Sequence, residues 1–108
     1  MNYILNSAVL TDFGTYSYQK TTVERARLFI SQANPLSTIG YKETAEALGL
    51  LLDIPTPDVN RQQIKMQKLE TALVFRLTKR VANTEDKGRL SAQFVTENHE
   101  IGFLTRVG

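Results

Sequence analysis

The run Ser37-Thr-Ile-Gly-Tyr-Lys-Glu-Thr-Ala-Glu-Ala-Leu48 constrains the fold more than any other stretch of the chain. A β-branched segment reaches Gly40, and helical spacing of apolar residues begins within two positions. A strand that turns into a helix through one glycine lays that helix back on a sheet, which places the chain in the α/β class. The junction also aims free backbone N–H groups and the positive helix end at whatever lies above it, an arrangement that suits a phosphate. The same pattern serves equally as an ordinary strand-to-helix turn.

The flanking segments fill in the architecture. Residues 3–5 read as a first strand followed by the polar pair Asn6-Ser7, and Phe13-Gly14 marks a turn. Residues 15–19 alternate as a half-buried strand should. Thr21 opens a helix, with Glu24 three residues on to complete a capping box. Val23, Ala26, Phe29, Ile30 and Ala33 follow helical spacing until Asn34-Pro35 stops the run. Residues 36–39 form the next strand, and a second helix over 42–52 turns Ala45, Leu48, Leu51 and Leu52 inward.

Ile54-Pro-Thr-Pro-Asp58 excludes helix. Residues 60–66 read as a strand, and residues 71–80 form the longest β run. Its Leu73, Phe75 and Leu77 lie on one face, and Ala72, Val74, Arg76 and Thr78 on the other. The short connection between these two runs predicts an antiparallel pair. Residues 82–88 read as a loop, Ser91 caps a short helix to about Glu97, and residues 101–107 close as a strand. The expectation is one domain over 1–108, a single mixed β-sheet of about five to six strands carrying two main helices and a short third one.

Composition limits the chemistry. The chain has no cysteine and one histidine, His99, so disulfides, thiolate sites and multi-histidine metal sites within one chain are excluded, and no cofactor is expected. His99 stands among Glu97, Asn98 and Glu100 and reads as a solvated loop residue. Thirteen basic against eleven acidic residues give a net charge of +2. That is too mild to coat long nucleic acid but compatible with a small anion held by a few arginines. No run is long enough to span a bilayer and no secretory leader is evident, which makes a cytoplasmic location the expectation. Motifs for P-loops, dinucleotide folds, zinc proteases and serine hydrolases are missing.

Arg61 and Arg80 stand at strand ends beside polar loops, where sheet proteins display binding groups, and arginine's fork of donors matches a phosphate and stacks on bases. Either one also reads as a surface arginine paired with a carboxylate. Tyr16 and Tyr18 are expected half-buried in their strand, whereas Tyr41, directly after Gly40, is expected to be exposed.

Several of these residues together resemble the family of small viral and bacterial proteins that contains the anti-CRISPR ring nucleases acting against type III CRISPR systems. The likeness is carried by Leu5-Asn6, by Ile39-Gly40 with Thr44, by Asn60-Arg61-x-x-Ile-Lys-Met66, and by Glu70-x-Ala72-Leu73 leading to Arg80. It implies a homodimer whose two-fold pocket takes cyclic tetra-adenylate, acting in the host cytoplasm if the source is viral. It also implies ligand-binding roles for Asn6, Ser7, Gly40, Tyr41, Thr44, Arg61, Arg80 and Asn83. The family reaction needs no metal: a ribose 2′-hydroxyl attacks its own phosphodiester while a histidine after the glycine protonates the leaving oxygen. An arginine, here Arg80, steadies the charge, and a glutamate three residues later assists.

This chain departs from the pattern at the chemistry. Tyr41 stands in the histidine position and Asn83 in the glutamate position, with Glu85 nearby. A phenol is poorly matched to general acid work at neutral pH, and losing a good general acid costs on the order of 10²–10⁴ in rate. Binding suffers less. The expectation is therefore sequestration of a cyclic oligonucleotide with at most slow cleavage involving Tyr41, Arg80 and Glu85. An active ring nuclease and a protein-interaction module with the same fold are the alternatives.

Overall fold

A computed structural model of the protein describes residues 2–7, 12–79 and 90–108. Five strands, β1 (Tyr3–Leu5), β2 (Tyr16–Lys20), β3 (Leu36–Ser37), β4 (Thr71–Leu77) and β5 (His99–Arg106), form one sheet in the order β2-β5-β4-β1-β3. β1 runs parallel to both β3 and β4, while β5 is antiparallel to β4 and β2. Three helices accompany the sheet: α1 (Val23–Ala33), α2 (Lys42–Leu52) and the short α3 (Ala92–Glu97). The architecture is the mixed α/β sheet expected.

The alternation of β4 divides the core as the sequence implies. Leu73 and Phe75 join Ile4 and Ile101 beneath Ala26, Leu48, Leu52 and Val95 of the helices. On the opposite face Ala72 and Val74 join Tyr3, Leu5 and Leu104. Among the described residues no helix contributes to that second cluster; Met66, fully buried, and the partly buried Ile64 join it from an irregular segment.

That segment is where the expected strand over 60–66 fails. β4 already has β1 on one edge and β5 on the other, so no edge remains to pair with. The chain is instead pinned along β3, with Asn60 N–H donating to Ile39 O at 2.8 Å and Ser37 Oγ donating to Asp58 O at 2.6 Å. It then drops its apolar residues onto the open face. The apolar residues Ile64 and Met66 mark burial here, not ladder pairing.

Other boundaries shift for local reasons. α1 is capped by Thr22, whose hydroxyl accepts from Arg25 N–H at 3.3 Å, so the capping box expected from Thr21 does not form. The Thr21 N–H is already committed to Ile101 O at 3.1 Å, extending the β2–β5 pairing. The third strand ends at Ser37, although Thr38 N–H still reaches Ile4 O at 2.9 Å. α2 occupies the expected span, but Leu51 is only partly buried while Ala47 and Gly49 are buried. Ser91 caps α3 by accepting from Phe94 N–H.

His99 is not a loop residue. It opens β5, its Nδ1 lies 2.6 Å from Val95 O, and its ring stacks on Phe75 with centroids 6.1 Å apart. Tyr16 is partly buried against the second cluster as expected, whereas Tyr18, on the edge strand β2, is 47% exposed and belongs to neither core cluster. The expected loop over 82–88 lies outside the described residues.

Candidate functional site

Because β1, β3 and β4 are parallel, their carboxyl ends lie together, the position at which open α/β sheets bind ligands. A cavity of about 560 Å³ opens there, within the size range of small-molecule sites. Asn6, directly after β1, forms one wall. Tyr41, Glu43 and Thr44 enter from the start of α2. Arg76, Leu77, Thr78 and Lys79 enter from the end of β4.

Tyr41 is the N-cap of α2 and makes no side-chain capping bond, so the first-turn N–H groups of this 11-residue helix are not closed off by its cap. Partial positive charge at that end is reinforced by Lys79 and opposed by Glu43. Tyr41 is 56% exposed, as its position after the glycine predicts.

Arg61 reaches this junction from the irregular segment. Its Nη2 donates to Gly40 O at 3.1 Å, and its guanidinium carbon lies 5.0 Å from the Tyr41 ring centroid. Such a cation–π contact holds the guanidinium against one face of the Tyr41 ring. Gly40 permits it: a Cβ there would stand 3.2 Å from Arg61 Nε. Arg61 is therefore oriented by the junction itself, and among the described residues no carboxylate pairs with it.

Arg76 was not singled out by sequence. It lies directly across from Glu100 in the β4–β5 ladder and forms an ion pair with it, both side chains about half exposed. Arg76 thus lies on the second sheet face with Ala72 and Val74, and cross-strand register, which sequence does not display, decides its partner. Lys79 neighbours the Arg80 picked out earlier. Thr78 N–H donates to Asn98 O at 2.9 Å, which ties the end of β4 to the end of α3.

Of the residues expected at a site, Asn6, Tyr41 and Thr44 share this cavity, and Gly40 and Arg61 adjoin it through Tyr41. Ser7 follows Asn6 at the same sheet end and is partly buried. Arg80, Asn83 and Glu85 lie outside the described residues.

Comparison with known proteins places the chain. The family model described as STIV B116-like matches residues 2–102. The chain belongs to the STIV B116-like family. Among solved structures it is similar to B116 of Sulfolobus turreted icosahedral virus, with a TM-score of 0.75 and 17% identity over 96% of this chain and 97% of that one. At that identity the STIV B116 likeness speaks for the fold. A search of curated protein sequences finds no match. Among the described residues of this STIV B116-like chain, no helix is long and apolar enough to cross a membrane.

Proposed function

We propose that this STIV B116-like protein binds a cyclic oligonucleotide messenger of antiviral defence, cyclic tetra-adenylate in the first instance, and silences it by sequestration. The observation that carries this reading is the Tyr41–Arg61 pair at the start of α2, beside Asn6 and Thr44. An exposed phenol backed by a guanidinium offers a stacking surface for a base, and the adjoining helix amides offer donors to a phosphate. The cleft has room for part of a four-nucleotide ring, so the reading includes a homodimer in which two clefts share a ring across a two-fold axis.

Turnover is expected to be slow at most and metal-independent. Tyr41 would donate the proton to the leaving 5′-oxygen as the 2′-hydroxyl, giving its own proton to water, bonds to phosphorus and closes a 2′,3′-cyclic phosphate, with Arg80 stabilising the developing charge and Glu85 assisting. A tight binder in excess over its messenger needs no turnover. The family likeness to anti-CRISPR ring nucleases keeps faster cleavage as the second reading.

The test is incubation with labelled cyclic tetra-adenylate in EDTA, following retention of the ring and appearance of linear products. Tight retention of intact ring is the expected result. Products exceeding one ring per dimer would replace sequestration with ring-nuclease activity, and a ring neither held nor cut would overturn both.

A further inference from the structure

A second cavity, of about 520 Å³, lies where β2 ends against β5. Its walls come from Tyr18 and Lys20 of β2, the turn carrying Thr21 into α1, and His99 and Glu100 of β5. Arg76 lines the first cavity and its ion-pair partner Glu100 lines this one.

Thr21 is the anomaly. It is only 8% exposed, and its hydroxyl is buried with no hydrogen-bond partner. Folding strips water from such a group without replacing it, a cost that valine of the same shape would avoid. Buried polar atoms without partners are few in native proteins, and a site completed by a ligand is one reason to carry one.

The surroundings indicate what completes it. α1, an 11-residue helix, begins at the cavity; the Thr22 hydroxyl caps Arg25 N–H, and the first-turn N–H groups of Val23 and Glu24 have no intrahelical acceptor. Lys20 adds a cation. Tyr18 adds a hydroxyl; its ring lies across Gly102, where a Cβ would stand 2.8 Å from Tyr18 Cε1. Burial, then the nearby Glu100, push the Tyr18 phenol above its ordinary value despite the opposing pull of Arg76, so it remains a donor at neutral pH. The Glu100 carboxylate opposes an anion, but Arg76 neutralises it. Val95 O can only accept, so His99 Nδ1 supplies the proton of their contact, and in the neutral ring Nε2 is then an acceptor.

Donors therefore predominate, with one ring nitrogen able to accept. We propose that this cavity binds a phosphate group, free or as a monoester, held by Lys20, the α1 amides and the Thr21 hydroxyl, with His99 Nε2 accepting from a protonated phosphate oxygen. The site is separate from the Tyr41 cleft and independent of the function proposed for that cleft.

The test is titration of inorganic phosphate, then of glycerol phosphate, into isotopically labelled protein. Amide signals of Thr21, Val23 and Glu24 and the ring signal of His99 report this cavity, while those of Tyr41 and Thr44 report the other. Saturable shifts confined to the first set are expected. Thr21→Val should weaken binding roughly tenfold, the scale of one lost hydrogen bond to a charged group, while the ligand-free Tm stays level or rises. Lys20→Gln should weaken it as well. Tighter binding of the ester than of phosphate would identify a phosphomonoester site, and equal binding a phosphate site. Absence of saturable shifts, or shifts unaltered in both variants, would overturn the proposal.

Discussion

The guanidinium carbon of Arg61 lies 5.0 Å from the ring centroid of Tyr41, although twenty residues and a whole helix separate them in sequence. The contact is possible because Gly40, between strand and helix, has no side chain to hold Arg61 away. Arg61→Ala should remove the cation–π contact and the bond to Gly40 O, costing only about 0.5–1 kcal/mol of stability at this exposed position. Gly40→Ala should displace the same side chain, since its new Cβ would stand 3.2 Å from Nε. Both changes are expected to weaken cyclic tetra-adenylate binding about equally by calorimetry, with the double variant no worse than Arg61→Ala alone. Fully additive losses would mean that the two residues act separately.

Tyr41→Phe separates stacking from proton donation. The ring and its Arg61 contact survive, so retention of the cyclic nucleotide should stay within about threefold of the parent, the scale of a weak exposed hydrogen bond. Any linear product formed by the parent protein in EDTA should fall on the order of 10²-fold or more. Undiminished cleavage would remove Tyr41 from the chemistry.

Leu69 carries a φ of 70° and is 71% exposed. Leucine in the left-handed region is strained, and this one buries little in return. Leu69→Asn, which tolerates that backbone, should stabilise the fold by about 0.5–1 kcal/mol in urea denaturation. A loss of stability would indicate that the exposed leucine packs against something in solution.

Glu70 sets an acid limit on the turn before β4. Burial alone would raise its carboxyl, but the Gln67 N–H donating at 2.6 Å and the Tyr3 hydroxyl help bring it below the ordinary value of 4.5. A depressed folded-state pKa contributes stability that is present above pH 4.5 and is lost as pH falls through the folded value. Stability should therefore decline below pH 4.5, and Glu70→Gln should flatten part of that decline. An identical acid profile in the variant would show that other carboxylates govern it.

What sequence alone determined follows from interactions close along the chain. The α2 span was legible because Gly40 and the 3.6-residue spacing of Ala45, Leu48 and Leu52 are local signals, and the two faces of β4 were legible from strict alternation. Exposure of Tyr41 followed from its place at a helix start. Tertiary structure decided the rest. Residues 60–66 read as a strand, yet they lie as irregular chain because both edges of β4 were already taken by β1 and β5. Arg76 met Glu100, and His99 became the first residue of a strand rather than of a loop, through the register that sets Arg76 opposite Glu100 and Leu77 opposite His99. Pairing register and edge occupancy depend on residues distant in sequence, so no local pattern encodes them.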